Sequence, residues 1–384
     1  MDFTLTDEQQ QLQDAVQRFV RGSYGFEHRK TVLARADGFD PATWQGLADL
    51  GLLGLLVPEE QGGLALGAVE TALAMQAAGP ALLVEPWLDV AVTAVALLRD
   101  FGDAATQAAL LPAVAAGERR VVLAHAEAAA RGDAHVVQVT ALSDGDHVRL
   151  DGRKAVVVGA GVADEWLVSA RHDGDARSAQ GVSLYRVPAG TAGVAVTRCA
   201  TIDGRRAAEL VFSGVRVPAS ARVGAAGAAL PAIEAALDIT LAALCAEAVG
   251  VMQATVAATV DYLKTRQQFG QPIGRFQALQ HRAVDMLVHR EQALSMMWLA
   301  ALRCTDADAN VRRKSLAAAK VVVGQAAKFI REQAVQLHGG IGMTDELVVS
   351  HWFKRLLAIE LALGGTDAAL KRFVGASQAE RAAA

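Results

Sequence analysis

Two short segments near the C-terminus combine glycine with arginine and glutamine inside sequence of otherwise helical character. The first runs from Arg266 to Gln280 (RQQFGQPIGRFQALQ) and the second from Gln336 to Gly342 (QLHGGIG). Arginine and glutamine donate hydrogen bonds to phosphates and to nucleobase edges, and glycine lets the backbone approach a bulky ligand closely. A helix that served only packing would need none of these residues. The two segments therefore predict a binding site for a phosphate-bearing ligand.

Other motifs that could bind a ligand or carry out catalysis are incomplete. Gly159 and Gly161 lack the third glycine of a dinucleotide fingerprint, and a strand pattern follows where a helix is required. The His338-Gly-Gly run is similar to an esterase oxyanion loop, but the chain contains no GxSxG nucleophile motif. His281 and Asp285 lie one helical turn apart without further ligands, so we predict no metal site.

Composition excludes several classes of function. The chain has 384 residues, 52% of them hydrophobic and 20% charged, which suits two or three domains with large buried cores. Its net charge of -4 provides no basic excess for nucleic acid. The three cysteines are odd in number and show no CxxC spacing, as expected in a reducing cytoplasm.

The sequence favours a cytoplasmic protein that does not enter a membrane. The first residues (MDFTLTDE) are acidic and lack an apolar core, so they do not resemble a signal peptide. No uncharged apolar run approaches the roughly 20 residues that a membrane span requires.

Helical patterns dominate both ends of the chain. Thr6 and Gln9 have the spacing of a capping box ahead of an apolar stripe. Further helices are predicted over 41–50, 68–78, 84–99 and 104–116, and over the four longer stretches 230–266, 276–304, 307–337 and 345–363. The four long stretches predict a four-helix bundle.

The middle of the chain has a different texture. Short runs rich in β-branched residues alternate with Gly and Asp turns, as in a small antiparallel barrel or sandwich. These runs are 121–125, 136–140, 147–150, 154–158, 166–170, 182–187, 194–196 and 210–217. We therefore predict a mainly α fold with a central β domain, divided into a helical domain (1–118), a β domain (119–225) and a four-helix bundle domain (226–384).

Four segments together resemble the acyl-CoA dehydrogenase family. They are Leu50–Gly63 (LGLLGLLVPEEQGG), Phe212–Pro218 (FSGVRVP), Tyr262–Met286 with the spacing Y-x3-R-x2-F-G-x-P-I-x2-F-Q-x-L-Q-x4-D-M, and Gln336–Gly342. The resemblance implies the same order of helical, β and bundle domains, a tetramer, and FAD bound at a subunit interface.

The resemblance also implies roles for particular residues. The residues expected to contact a neighbouring subunit's FAD are Arg266, Phe269 and Gln277, joined by Gln336, Gly339 and Gly340, while Thr366 is a further expected cofactor contact. The alternative is that the glycine pair merely caps a helix and that Gln277 lies on a solvated face.

The chemistry implied by the family is α,β-desaturation of an acyl-CoA thioester, as in β-oxidation. A carboxylate removes the α-proton, the β-hydrogen leaves as hydride to FAD, and electron-transfer flavoprotein is the expected acceptor. The base must lie over the α-carbon, in a dry pocket, on the face opposite the flavin.

The chain departs from the family where that base belongs. The usual E-G-T turn reads Gly364-Gly365-Thr366, and the alternative position of the acid is occupied by Thr240. The catalytic base is therefore unassigned. The family's T-E-P-x-x-G-S-D segment is Ala126–Asp133 (AEAAARGD), and its K-x-W-I-T pattern is Lys154–Val158 (KAVVV), so most side chains expected to face this chain's own flavin are lost.

This asymmetry predicts one subunit of a heteromeric enzyme whose homologous partner supplies the base, similar to the small subunits of pimeloyl-CoA-type dehydrogenases. One alternative is a homo-oligomer that uses Glu127, Glu247 or Glu360 as base, although we expect Glu247 and Glu360 to form surface pairs on helices or charge contacts at helix N-termini. Two further alternatives are a catalytically silent structural subunit and a flavin monooxygenase or oxidase of the same fold.

Overall fold

The computed structural model describes residues 4–383 and divides into two compact units, each built from separate stretches of chain. The bundle unit contains the residues up to Arg29, Ala68–Leu83 and the residues from Leu241 onward. The sheet unit contains Lys30–Gly67 and Val84–Thr240. The three consecutive domains (1–118, 119–225, 226–384) stay a prediction, and their outer limits at Met1 and Ala384 lie outside the described residues.

Helices make up most of the described chain. They are α1 (Asp7–Ser23), α2 (Phe26–Ala34), α3 (Pro41–Asp49), α4 (Ala68–Ala78), a π-helical segment (Leu88–Ala94) continuing into α5 (Val95–Phe101), α6 (Ala104–Ala115), α7 (Ala229–Thr265), α8 (Gln277–Arg303), α9 (Ala309–His338), α10 (Val348–Leu361) and α11 (Gly365–Ala383).

The strands lie between α6 and α7, except for one small hairpin. They are β1 (Val121–Ala124), β2 (Thr140–Asp144), β3 (His147–Val158), β4 (Glu165–Arg171), β5 (Val182–Pro188), β6 (Val194–Ala200), β7 (Arg206–Pro218), β8 (Arg222–Val223), and the hairpin β9 (Gln267–Gln268) and β10 (Gln271–Pro272). The predicted helical fold with a central β domain is confirmed.

The bundle unit follows its sequence signals closely. In the predicted capping box, Thr6 Oγ1 accepts from the Gln9 amide at 3.2 Å and Gln9 Oε1 accepts from the Thr6 amide at 3.1 Å. Long apolar helices need a packed partner for stability, and α9 packs against α8, α10 and α11. α11 was not predicted, so one more long helix follows the four that were expected at this end of the chain.

Helices α4 and α7 approach each other at glycine. A Cβ added to Gly250 of α7 would lie 2.0 Å from the Gln76 carbonyl oxygen of α4. Only the absence of a side chain permits this backbone contact. Gly250 therefore sets the spacing of these two helices.

α7 is by length and composition the one described helix that passes a test for a membrane span. Its most apolar 18-residue window has a mean hydropathy of 1.7, and 83% of that window is buried inside the protein. Such burial is typical of a core helix.

The sheet unit is built around one eight-stranded sheet. Its strands follow the order β6-β7-β3-β2-β4-β5-β8, and β1 pairs with β4. Most pairs are antiparallel as predicted, but β1 and β2 each run parallel to β4. The sheet is therefore mixed.

Two strand predictions in this unit are wrong. The runs 147–150 and 154–158 form one strand, β3, which crosses Asp151-Gly152 through register shifts against β7. Residues 136–139 are not a strand, although the Val137 amide donates to the Ala176 carbonyl and the Val139 carbonyl accepts from the Arg171 amide. Isolated bonds of this kind satisfy a buried backbone without forming a ladder.

We predict that Gly250→Ala lowers the free energy of unfolding by about 1–3 kcal/mol, because the added methyl group must push α4 and α7 apart. Urea denaturation of the chain measures this loss. The matched control is Gly375→Ala in α11, where an added Cβ meets nothing within 4 Å. That substitution should stabilise the helix by up to about 1 kcal/mol. Equal effects of the two substitutions would contradict the close approach of α4 and α7.

Candidate cofactor site and the positions of the missing base

The first predicted binding segment folds as an exposed hairpin after α7. Phe269 and Gly270 form its two-residue turn and have φ values of 55° and 76°. Positive φ at both positions is the geometry of a type I′ turn, which phenylalanine adopts unfavourably. The Phe269 side chain is 89% exposed. A costly conformation that leaves an aromatic ring in solvent fits a residue that contacts something outside this chain.

The other residues of this segment are also accessible. Arg266 directly follows α7, and Gln277 is the first residue of α8; both are exposed. Phe276, at the N-cap of α8, provides no side-chain hydrogen bond to the first amides of the helix. Uncapped amides at a helix N-terminus suit an anionic group. The structure thus leaves a cation, an amide and free helix amides available at this end of the bundle.

The second segment ends α9. Gly339 is the C-cap of α9 with φ 66°, and its amide donates to the Gln336 and Val335 carbonyl groups. The alternative role of this glycine, capping the helix, is therefore observed. Gln336, Gly339 and Gly340 are exposed, and a Cβ at either glycine would meet nothing within 4 Å. Cofactor contacts by these three residues stay a prediction.

A ring stack brings the two segments to the same end of the bundle. Tyr262, one turn before Arg266, stacks on His338 with ring centroids 4.5 Å apart. His338 Nδ1 lies 2.8 Å from the Ala334 carbonyl oxygen, so this nitrogen carries the proton and donates. Burial lowers the pKa of His338. A neutral His338 next to Gly339 therefore anchors both segments.

Thr366, the second residue of α11, lies away from both segments. A Cβ at Gly324 would be 2.5 Å from Thr366 Oγ1, so the hydroxyl sits against the middle of α9. Gly324 and Gln336 are separated by about 18 Å at the rise of an α-helix. Thr366 Oγ1 is buried and has no hydrogen-bond partner among the described residues. An orphaned hydroxyl suits a ligand contact, but one distinct from the other predicted contacts.

Neither family position of the base offers an acid. Gly364 has φ 97° between Leu363 (φ 56°) and Gly365 (φ 71°), so a glutamate at position 364 would require strained backbone. In the sheet unit, Thr240 Oγ1 bonds to the Ala236 carbonyl and to Thr93 Oγ1, each at 2.8 Å. The Thr240 hydroxyl is therefore buried and already takes part in two hydrogen bonds.

Two of the acids named as alternative bases are engaged in ion pairs with arginine. Glu247 is buried and accepts two bonds from Arg355, at 2.6 and 2.5 Å. Glu360 pairs with Arg331 at 2.5 Å. The expectation that both form surface pairs on helices is wrong, because these pairs join separate helices inside the bundle unit. A carboxylate held by arginine is a poor proton acceptor.

The third candidate, Glu127, belongs to a buried network in the sheet unit. Its Oε1 accepts from Lys154 Nζ at 2.7 Å, and Lys154 also donates to Ser169 Oγ at 2.9 Å. Burial lowers the pKa of Lys154 to about 8, although Glu127 opposes the shift. His125 Nδ1 lies 2.9 Å from the same Ser169 hydroxyl. Glu127 is thus committed to structure.

The sheet unit therefore fits a flavin of its own poorly. Ala126, Val156 and Val158 occupy the positions where the family presents Thr, Trp and Thr, and none offers a polar group or an aromatic ring. The hairpin end of the bundle unit, in contrast, offers exposed groups suited to a diphosphate and an adenosine. The exposed groups at the hairpin end therefore remain the candidate cofactor contacts of this chain.

Sequence patterns did not reveal that Lys154 is buried, that it bonds to Ser169, or that Tyr262 stacks on His338. Lysine in a strand is ordinarily exposed, but Lys154 falls on the same face of β3 as the buried Val148 and Leu150. The Tyr262–His338 contact joins residues far apart in sequence, which periodicity does not report.

Comparison with protein-family models gives matches along nearly the whole chain. The N-terminal, middle and C-terminal domains of acyl-CoA dehydrogenases match residues 6–118, 123–215 and 227–378.

Full-length relatives agree with these matches. Acyl-CoA dehydrogenase FadE27 of Mycobacterium tuberculosis is 30% identical over 389 aligned positions, covering 99% of both chains. A variant of the Tcur3481-Tcur3483 steroid ACAD is 30% identical, with a TM-score of 0.88 over 99% of this chain and 100% of that one. A chain of the ChsE4-ChsE5 complex from Mycobacterium tuberculosis is 28% identical, with a TM-score of 0.87 over 99% of both.

These matches define a flavoenzyme-type fold of helical, sheet and bundle parts. The chain belongs to the acyl-CoA dehydrogenase family. A further neighbour, the FAD complex of PigA, is 25% identical with a TM-score of 0.90 over 97% of this chain and 98% of that one. It confirms FAD as a cofactor of this fold.

We predict that stability falls with acidification because of His125. Burial, helped by the Lys154 charge, lowers the pKa of His125 from 6.5 to about 3. Below pH 6.5 the unfolded chain takes up a proton that the folded chain does not, so up to about 1.4 kcal/mol is lost per pH unit between the two pKa values. Urea denaturation at pH 6 and pH 5 should show a smaller loss for His125→Asn than for the wild type. Equal losses would show that His125 does not contribute.

Proposed function

We propose that this chain is one subunit of a heteromeric, FAD-dependent acyl-CoA dehydrogenase. It binds FAD through the hairpin end of its bundle unit, and a homologous partner supplies the catalytic base. The reaction is α,β-desaturation of an acyl-CoA thioester. FAD, when bound, accepts the hydride from the β-carbon.

The half-kept site carries this proposal. Gly364 and Thr240 offer no carboxylate, and each of the three glutamates named as substitutes lies in an ion pair. The strained and exposed Phe269, in contrast, is retained beside Arg266. This costly and exposed turn favours a contact with a group outside this chain.

Structural relatives support a partnership between different chains. The solved neighbours include the ChsE4-ChsE5 complex and the Tcur3481-Tcur3483 steroid ACAD, each named for two components. A homologous partner that carries an intact E-G-T turn is the complementary chain. We also propose electron-transfer flavoprotein as the electron acceptor, because a dehydrogenase, unlike an oxidase, passes its electrons to another protein.

Within this assembly the residues of this chain bind FAD and orient it. Arg266 and the free amides at the start of α8 neutralise the diphosphate, and Phe269 packs on the adenosine part. Gln336 donates a hydrogen bond from its side-chain amide to the cofactor, while Gly339 and Gly340 let the cofactor approach the backbone at the end of α9. Thr366 lies against the middle of α9, away from these residues. Its hydroxyl, which has no hydrogen-bond partner among the described residues, makes a separate contact with the ligand.

The test compares this chain alone, the homologous partner alone and the two chains co-expressed. We expect full dehydrogenase activity only from the complex, measured as acyl-CoA-dependent reduction of ferrocenium, with fewer flavins than subunits. The substrate panel should contain fatty acyl, pimeloyl and steroid side-chain thioesters, because the steroid neighbour makes a bulky acyl group worth including.

Other outcomes point to the alternatives. Full flavin content and brisk turnover by this chain alone would establish a homo-oligomeric enzyme. Oxygen consumption by the reduced flavin, without reduction of the electron acceptor by acyl-CoA, would establish an oxidase or monooxygenase. Unchanged flavin binding and turnover of the partner when this chain is omitted would leave it a silent structural subunit.

We predict that Arg266→Ala weakens FAD binding by the complex by about tenfold to a hundredfold, the effect of losing a charge-assisted hydrogen bond worth about 1.5–3 kcal/mol. Fluorescence titration of the apo complex with FAD measures this change. The control is Arg18→Ala, which removes another exposed arginine of the bundle unit. Equal affinities for the Arg266 and Arg18 variants would place the FAD diphosphate elsewhere.

A further inference from the structure

A groove in the bundle unit runs between α1 and the helices α4, α7 and α10. It encloses about 690 Å³, and every residue that lines it belongs to the bundle unit. Ligand-binding clefts typically enclose about 300–1,000 Å³. None of the predicted cofactor contacts lines this groove, so it is distinct from the candidate cofactor site.

Contacts between the helices fix the walls of this groove. Gly250 of α7 lies against the Gln76 carbonyl of α4, and both residues line the groove. The Trp352 indole of α10 donates from Nε1 to the Pro80 carbonyl oxygen at 3.0 Å. Because these contacts join residues of the chain itself, the groove is formed before anything binds. A preformed site loses less conformational entropy on binding than one that must be assembled.

One stripe of α1 faces the groove along its length. It consists of Gln13, Gln17, Val20, Arg21 and Tyr24, which recur at the spacing of one helix face. From Gln13 to Tyr24 the stripe is about 16 Å long at the rise of an α-helix. An extended polypeptide rises about 3.3 Å per residue, so the stripe matches about five residues.

Four glutamine amides line the groove, and one of them is buried. Gln76 is 8% exposed, and its Nε2 donates to Gln253 Oε1 at 3.3 Å. Among the described residues, Gln76 Oε1 and Gln253 Nε2 make no further hydrogen bond. This pair therefore offers one acceptor and one donor, and Gln13 and Gln17 add two more amides. A peptide group carries the matching donor and acceptor.

The charges of the lining cancel. Arg21 and Glu346 are its two charged side chains, and neither forms an ion pair within the part of the chain that the structure describes. A polyphosphate would need several cations, so this lining does not suit one. The buried Val20 and Tyr24 provide an apolar surface between the polar groups. The lining suits a ligand with peptide groups, an apolar centre and one charge of each sign.

We propose that this groove binds an extended peptide segment of another protein, about five residues long. The glutamine amides bond to the main chain of the segment, and an apolar side chain packs against Tyr24 and Trp352. Arg21 receives an acidic side chain and Glu346 a basic one. This proposal does not depend on the proposed function, because the groove and the hairpin end share no residue.

The first experiment selects the ligand. A phage-displayed library of random heptapeptides is panned on the full chain and, in parallel, on Ala254→Trp, which fills the groove from α7. Circular dichroism verifies that the variant is folded. We expect sequences enriched on the wild type alone to carry an acidic and a basic residue on either side of an apolar one. Equal enrichment on both proteins, or no enrichment, would overturn the proposal.

The second experiment titrates the best peptide, labelled with fluorescein, by anisotropy. Gln17→Leu should weaken binding by about threefold to tenfold, the effect of losing one hydrogen bond. The matched control is Gln10→Leu on the same helix, since Gln10 bonds to Asp14 at 2.9 Å and does not line the groove. Equal affinities for the two variants would overturn the proposal. Arg266→Ala should leave peptide binding unchanged, which separates this groove from the cofactor site.

A charge reversal tests the orientation of the segment. Arg21→Glu should weaken binding of the selected peptide by about tenfold, and replacing the acidic residue of the peptide by lysine should restore it. A merely structural role of Arg21 would not produce this rescue. Weakening without rescue would therefore overturn the assignment of Arg21.

Competition distinguishes a peptide from a small ligand. Adenosine monophosphate and coenzyme A are added separately to the chain loaded with labelled peptide. We expect neither to displace the peptide at concentrations up to tenfold above that of the chain. Displacement by either compound from the wild type would show that the groove binds a nucleotide or its pantetheine arm, and would overturn the proposal.

Discussion

A carboxylate removed from water needs a cation or several hydrogen-bond donors beside it, and this constraint governs the acids inside both units. Glu127 is held by Lys154 and two backbone amides, Glu247 by Arg355, and Glu360 by Arg331. Each pair fixes elements distant in sequence, so these acids belong to the architecture. A proton-abstracting base needs the opposite environment, dry but without a dedicated cation, and none of these three glutamates has it. The ion pairs that stabilise the two units therefore leave none of these three glutamates available as a catalytic base.

The helical parts of the fold follow from local sequence because their signals are local. The capping box at Thr6, the limits of α4 and the length of α7 are properties of short-range pattern and composition, and the structure places them where the pattern does. α11 was missed although Thr366 and Asp367 are residues typical of a helix start, because they follow a glycine pair at a kink directly after α10. α2 was also not predicted, because charged and polar residues fill the first half of its sequence (FEHRKTVLA), although its exposed positions 27, 31 and 34 recur at helical spacing in the structure.

The sheet and the site depend on longer-range terms. Residues 136–139 have strand-like composition, but Val137 and Val139 make only isolated backbone bonds to Ala176 and Arg171 rather than a continuous ladder, so pairing overrides propensity. The two segments of the predicted cofactor site were visible as motifs, whereas their contact through Tyr262 and His338 was not. Sequence also placed Glu247 on a helix surface, because periodicity cannot report that Arg355 of another helix lies opposite. Burial of charge is decided by partners, and partners become apparent only in three dimensions.

The exposed ring of Phe269 has a consequence for the life of the isolated polypeptide. The exposed Phe269 ring, together with other exposed apolar side chains such as Met343 (78% exposed), favours non-specific hydrophobic association. Cells generally clear such molecules through chaperones and proteases when the intended counterpart is scarce. In the proposed heteromer, balanced synthesis of the two chains is then a condition for the abundance of each.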